Sequence, residues 1–439
     1  MQLSSEIKTD RLGPSAGVRI ETLLPVSGLQ LIIPLAAIVL AFVPLVPPVE
    51  ALEGGVTSRG VIEFGLILIA LAMLAISLKQ QGAFSFDVKN AAFLVISMFC
   101  WWCMVSAIWS LNPILTLAKA AELWCVSLAA MMVATLALRS RFDEGKLETL
   151  LALSLVAVIA GLIVANIFFW GKPLPTTDDA SLPFDILGEG FSDERPRLVL
   201  AYQHALVTAD LLAIAIISVF TSQLRKVLKA PLLTGLLALF WMTNVRGGSI
   251  GLIVSIAAIA LLKLRRNSVR LIAVMLSISA VVAGLMVVQD RLPALIRPLI
   301  TDDFYTLNSR TELWSKTLSH IFARPILGHG FFASRYLLIR DFSWAGHAHN
   351  SFLEVLLTTG LIGLLILGAF LLVLCREILV SRNALLLGIT LYCLIQGMLN
   401  PVLFFPGVAM FALTLALIYA EIKRSSKAQA IGRSRGGWR

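Results

Sequence analysis

The tract Gly346–Gly363, GHAHNSFLEVLLTTGLIG, carries two histidines and an asparagine immediately ahead of an apolar run. Histidine is the side chain whose ordinary pKa suits general-base work near neutral pH, so His349, with His347 beside it, can take a proton from an attacking hydroxyl. Arginine holds phosphate oxygens in a permanently charged, bidentate fork. Arg197, Arg246, Arg310, Arg324 and Arg335 share one predicted side of the membrane with the histidines. A base for a hydroxyl next to a clamp for a departing phosphate is the equipment for displacing a phosphate-linked group. The acidic pair Asp302-Asp303 has no further carboxylate at helical or turn spacing, so neither a metal site nor a cofactor is expected.

Composition sets the frame that must hold these residues. Of the 439 residues, 58% are hydrophobic and 14% charged, which excludes an ordinary soluble protein and leaves an all-α integral membrane protein. Apolar runs of spanning length fall at Gly28–Val46, Val61–Leu78, Ala91–Trp109, Ile114–Leu138, Leu147–Trp170 and Leu198–Ser222. They continue at Pro231–Thr243, Ser249–Leu264, Val269–Val288, Phe352–Leu374, Ala384–Leu399 and Val402–Ala420, about twelve transmembrane helices in all. The expected organisation is an N-terminal cytoplasmic segment, 1–27, and a membrane domain, 28–420, interrupted by periplasmic loops at 171–197 and 289–350. A basic cytoplasmic tail, 421–439, follows. The first run is long enough to stay as an uncleaved span.

Charge orients the chain. A net charge of +10 could suit nucleic acid, but basic residues of membrane proteins gather at cytoplasmic helix ends. Here 23 of the 36 Lys and Arg lie in the short segments on the side of the N-terminus. Both termini are therefore expected inside and the Gly346 tract outside, with no nucleic-acid partner. His347, His349 and Asn350 would then sit where water meets hydrocarbon, the place for a polar reaction on a lipid-linked substrate.

Local patterns supply the supports. A helix starting near Asn350 puts Glu354 one turn in, and Gly360 and Gly363 at i, i+3 let a neighbouring backbone approach. Ser309-x-x-Glu312 is a capping-box pattern, and Leu313, Trp314, Leu318, Ile321 and Phe322 give the following helix an apolar face. That helix should stop before Arg324-Pro325 and lie on the membrane surface. Pro231–Thr243 makes only about 20 Å of helix, short of a hydrocarbon core of about 30 Å unless Val227 and Leu228 join it and Lys229 snorkels. Otherwise it is half of a re-entrant hairpin that turns at Asn244–Gly248. The five cysteines lie in or at the ends of spans, where thiols behave as small hydrophobes, and no disulfide is expected.

His349-Asn350, nine residues, then Gly360-Leu361-Ile362-Gly363 resembles the histidine signature of the bacterial O-antigen ligase and polysaccharide polymerase superfamily. The runs Ser309–Trp314 and Arg324–Gly330 are similar to the lead-in of that family, and the likeness covers roughly Trp241 to Leu374. The resemblance implies a GT-C-like glycosyltransferase of the inner membrane with a periplasmic active site. Its donor would be a glycan on polyprenyl diphosphate and its acceptor a saccharide or lipid A-core. Membrane lipids and a chain-length regulator would be its other partners. His349 would deprotonate the acceptor hydroxyl, and Arg246 and Arg197 would stabilise the diphosphate, giving inversion without a metal. A second lipid-linked repeat as acceptor makes the protein a polymerase of exopolysaccharide or O-antigen, the preferred reading, and lipid A-core makes it a ligase. A flippase or transporter is the alternative from another class, and would show symmetry-related halves and ionisable residues deep in several spans.

Each candidate also has a plainer role. His349 could be a polar helix cap, and His347, Asn350 and Arg335 are candidates for substrate contacts. Arg310 could contact substrate or pair with Glu312. Arg246 at a Gly-Gly turn is an expensive placement for an idle charge, while Arg197 could equally anchor the sixth span at the interface. Lys119 and Glu122, at i, i+3, form an internal ion pair or face a lipid-diphosphate cavity. His204 reads as a satisfied buried histidine about two turns into the sixth span.

Overall fold

The computed structural model describes residues 28–43, 58–81, 90–139, 145–169, 197–201, 204–263, 310–342 and 345–436, and no strand occurs among the described residues. The helices are α1 (Gly28–Ala41), α2 (Ser58–Gln80), α3 (Ala91–Val105), α4 (Pro113–Arg139), α5 (Lys146–Phe168), α6 (Ala205–Thr221) and α7 (Lys226–Met242). They continue with α8 (Arg246–Lys263), α9 (Arg310–Ala323), α10 (Ser334–Asp341), α11 (Ser351–Ser381), α12 (Ala384–Gly397) and α13 (Val408–Gly436). Among the described residues, five helical stretches are long and apolar enough to cross a membrane: Gly60–Gln80, Ala91–Ile108, Pro113–Arg139, Lys146–Phe168 and Ser351–Ser381. Gln30–Ala41, Ala205–Thr221, Arg246–Leu262 and Ala384–Gly397 are shorter apolar helices. The expected span Val269–Val288, the segment 1–27, the loop 171–196, Asp302-Asp303 and the capping Ser309 lie outside the described residues.

Three expected boundaries move. The helix expected from Leu198 begins at Ala205, and the last helix begins at Val408 rather than Val402. The short run at Pro231 reaches back to Lys226, giving 17 residues with Pro231 at the sixth position. There the proline is past the first turn and removes the N–H that would bond the Val227 carbonyl. Lys229 reaches the carbonyls of Ser222 at 2.6 Å and Phe220 at 3.4 Å, so its charge is met at the helix end. The Gly247-Gly248 pair lies inside α8 instead of in the turn, which is Thr243–Val245 with Asn244 at φ 52°. A Cβ at Gly247 would stand 2.5 Å from Leu399 and one at Gly251 3.2 Å from Tyr392, so these glycines let α8 lie flush against α12.

α13 runs through the centre of the bundle, buried at every residue from 408 to 420, and packs on α3, α4, α6, α11 and α12. At one end of the bundle, the Glu421 carboxylate of α13 accepts both the Ala91 and Ala92 N–H at 3.0 Å, placing negative charge on the first turn of α3. Arg424 pairs with Glu377 of α11 at 2.9 Å nearby. The opposite end carries the starts of α4, α6, α8 and α11 and the termini of α3, α7 and α12.

That end is held by a break in α11. Gly360 has φ 68° and ψ −166°, and the carbonyls of Leu357 and Thr358 just before it lose their helical partners. The loop after α9 replaces them: His329 and Gly330 donate to Leu357 and Thr358 at 3.0 and 2.8 Å. In the other direction, Leu361 and Ile362 donate to the carbonyls of Pro325 and Ile326 at 2.9 and 3.5 Å. Trp102 of α3 donates to the Thr359 carbonyl at 3.0 Å. A Cβ at Gly360 would stand 2.1 Å from the Ile326 carbonyl oxygen, and one at Gly328 2.5 Å from that of Thr358. The two glycine-containing runs of the sequence signature are thus the two sides of one backbone seam. Gly363 has a different neighbour, the Thr359 side chain, with the Phe99 ring at 3.6 Å. Gly360→Ala should lower stability by about 2–4 kcal/mol, from a left-handed alanine plus a backbone collision. Gly368→Ala, with open space around it, should be neutral. Thermal unfolding in detergent separates the two, and an unchanged midpoint for Gly360→Ala would refute the seam.

Candidate functional site

The loop Ala345–Asn350 enters α11 at the end of the bundle held by that seam, and it is pinned at Ala348. Trp314 of α9 donates from Nε1 to the Ala348 carbonyl at 2.9 Å, and the Ala348 N–H donates to Glu354 at 2.8 Å. The other oxygen of Glu354 takes the hydroxyl of Ser334, the first residue of α10. Beneath the loop, Ala345 and Ala348 are buried with Leu313, Ile321, Leu338 and Leu357 in a small core of their own. Asn350 caps α11, its side-chain oxygen accepting from Phe352 and Leu353 N–H at 2.9 and 3.1 Å. Its amide donates to the Met398 carbonyl at 3.1 Å, tying α11 to the end of α12. The substrate contact expected of Asn350 therefore competes with a structural role that uses both ends of its amide.

Between these fixings His349 is held at φ 47°, a conformation that side-chain-bearing residues rarely adopt. Its N–H points to Nδ1 of His347 at 3.3 Å, and the two ring centroids are 4.1 Å apart. An accepting Nδ1 assigns the proton of neutral His347 to Nε2. Burial pushes His347 down to about 3, and His204, Arg310 and Arg335 add to the shift. His349 is likewise held well below its ordinary value, first by burial and then by His347, Arg310 and His204. Arg310 is itself lowered by burial, yet a guanidinium starts so high that it stays charged. The result is a pair of uncharged imidazoles beside cations.

His204 belongs to this group, contrary to its reading as a buried residue two turns into a span. It is the exposed N-cap of α6, accepting from Leu206 N–H at 3.2 Å. The reason is the non-helical, buried segment before it. The side chain of Asn166 donates to the Val199 carbonyl at 3.0 Å and accepts from Ala201 N–H at 2.8 Å, and Leu200 N–H donates to Thr208 at 3.2 Å. Non-helical backbone is tolerated in such a place because its polar groups find partners within the protein. The polar trio Tyr202-Gln203-His204 interrupting the apolar run was the available signal in the sequence.

The remaining candidates distribute around this end. Arg197 precedes Leu198, whose N–H donates to the Met242 carbonyl at 2.8 Å, so it stands by the terminus of α7. Arg246 is the first residue of α8, next to Gly247, which lies against Leu399; the adjacent Met398 is the one that holds Asn350. Lys119 is paired with Glu122 at 2.7 Å and Glu63 at 3.4 Å, the plainer of its two expected roles. It also lies 5.8 Å from the Phe332 ring, which stacks on Phe405, itself edge-on to His347 at 6.3 Å. Among the described residues no three metal-ligating side chains gather in one place.

The depressed histidines make folding sensitive to pH with a definite sign. Unfolded, each binds a proton below about 6.5, while folded they stay neutral far lower, so their contribution is full above that pH and is lost as the pH falls. His329, lowered by burial, acts in the same sense, whereas Asp341, held low by its hydrogen bond to His320, acts only under more acidic conditions. Between pH 7.5 and pH 5 the two imidazoles should lower the melting temperature relative to a chain without them, so His347→Gln with His349→Gln should lose less stability over that fall than the unaltered chain. Identical slopes would show that the imidazoles titrate normally.

A search of curated proteins finds no match to this chain. Residues 230–368, the stretch that holds Arg246, Arg310, Arg335, His347 and His349, match the family model Wzy_C, described as O-antigen ligase, which supports membership of the O-antigen ligase and polymerase superfamily.

Proposed function

We propose that the chain transfers an oligosaccharide from polyprenyl diphosphate to an acceptor hydroxyl at the periplasmic face of the inner membrane. The fold carrying this activity is then a GT-C-like bundle of about twelve spans with both termini in the cytoplasm, as the distribution of Lys and Arg suggests. The observation that supports the reading best is the neutral His347–His349 pair beside Arg310 and Arg335. His349 takes the proton of the acceptor hydroxyl as its oxygen attacks the anomeric carbon. The bond from that carbon to the diphosphate breaks on the far side, and the electron pair leaves with the phosphate. One displacement inverts the anomeric configuration.

Charge explains why donor and base work together. Burial first, and the neighbouring charges after it, hold His349 too low for an effective base. A diphosphate resting on Arg246, Arg197, Arg310 and Arg335 would neutralise part of that charge and raise the imidazole toward its useful range. The starts of α6, α8 and α11 add the positive ends of three helix dipoles at the same end of the bundle. Donor binding thereby arms the base, without a metal or a cofactor.

The preferred acceptor is a second lipid-linked repeat, which makes the protein a polymerase of exopolysaccharide or O-antigen, with a chain-length regulator as a plausible partner class. The description of the matching family model favours the second reading, transfer to lipid A-core. Purified protein in vesicles, given lipid-linked repeats and either acceptor, distinguishes them by the product. His349→Ala should lower transfer at least about a hundredfold with the fold intact. Arg246→Ala should weaken donor use more than Arg246→Lys, and EDTA should have no effect. Full activity of His349→Ala, or abolition by EDTA, would sink the mechanism.

A further inference from the structure

The foot of α9 carries an apolar surface that the proposed transfer does not use. α9 is set against α11 by hydrogen bonds at both of its ends. Trp314, in its second turn, is level with Ala348, whereas Pro325 and Ile326, just past its end, are hydrogen-bonded to Leu361 and Ile362 of α11. The helix therefore stands alongside the first turns of α11, descending about 20 Å over its 14 residues from the histidine loop to the break.

Exposure changes character along that descent. Near the histidines the exposed positions of α9 are polar, Thr311, Glu312, Ser315, Lys316 and Ser319, apart from Leu318 at 40%. At the foot, Phe322 is 77% exposed, Ile326 60% and Leu327 44%, with only Arg324 as a cation among them. α11 changes at the same level. From Ser351 to Gly360 no residue is exposed, and below the break Leu361, Leu365 and Leu372 open to the surroundings, Leu365 at 66%. Leu361 to Ser381 spans about 30 Å, the thickness of a bilayer's hydrocarbon core. A soluble surface rarely exposes apolar side chains this large side by side, and here the patch runs directly into the stripe of a spanning helix.

We propose that Phe322, Ile326 and Leu327 are inserted in the outer leaflet of the bilayer, with Arg324 at the level of the lipid phosphates. The partner is the phospholipid itself, its acyl chains against the apolar three and its head groups against the guanidinium. α9 is then a strut standing on the lipid and bearing on the histidine loop through Trp314. This assignment does not depend on what His349 does.

The test uses the full chain in phosphatidylethanolamine and phosphatidylglycerol vesicles. Single cysteines replacing Ser315, Phe322 and Ile326, in a chain whose five native cysteines are replaced by alanine, carry a fluorophore. A nitroxide near the head group on the lipid chain should quench the labels at 322 and 326 severalfold more than the label at 315, and aqueous iodide should show the reverse order. Equal iodide quenching at 315 and 322 would overturn the assignment, and so would labels at 322 and 326 that neither quencher reaches, since another protein surface would then cover them. The unsubstituted chain offers a second measurement that needs no labelled variant. Phospholipid with a photoreactive acyl chain should leave adducts on Phe322, Ile326 or Leu327, and adducts confined to α11 would overturn the proposal.

Discussion

The arrangement at the histidine end depends on a helix that stops being helical for one residue. At Gly360 the carbonyls of Leu357 and Thr358 and the amides of Leu361 and Ile362 are turned out of α11 and meet the backbone of residues 325–330. Four backbone groups that would be expensive to bury alone are satisfied by a loop that itself has no regular structure. The exchange works because Gly328 and Gly360 leave no side chain between the two backbones. Everything above the break then follows: the upper turns of α11 are enclosed by α9 and α10, and the loop that carries His349 is bound to those helices through Trp314, Ser334 and Glu354.

Rigidity at that loop has an electrostatic purpose in the proposed chemistry. An imidazole is useful as a base only if it is uncharged and near its substrate, and burial beside guanidinium groups secures the first condition at the expense of basicity. A mobile histidine would swing out to water and recover its ordinary pKa. The pinned backbone and the unusual φ of His349 fix where its side chain starts, and in the proposed mechanism an arriving anion would restore the basicity.

Much of this was legible from residue types. The helix start at Asn350, the buried Glu354 one turn in and the end of α9 before Arg324-Pro325 all follow from local rules that the structure obeys. What the sequence hid is long-range. Gly247-Gly248 reads as a turn because glycine is poor in helices, and only the surface of Tyr392 on α12 and Leu399 just past it explains its place in α8. His204 was missed because an apolar run looks helical whether or not it is, and the main partner that keeps 197–201 out of the helix, Asn166, sits on α5. Asp210 in α6 finds its partner 182 residues away in the Tyr392 hydroxyl, at 2.6 Å, a pairing that no local pattern announces. α9 has the amphipathic stripe of a surface-lying helix, and that stripe meets α11 and α10.

Hydrogen exchange of the full chain in nanodiscs tests the seam and its hold on the histidine loop together. Amides of His329, Gly330 and Leu361 should exchange slowly and as one cooperative unit, and Gly328→Ala should accelerate both that unit and the stretch His347–Asn350. Rapid, independent exchange at Gly330 and Leu361 in the unaltered chain, or a histidine loop indifferent to Gly328→Ala, would contradict the account.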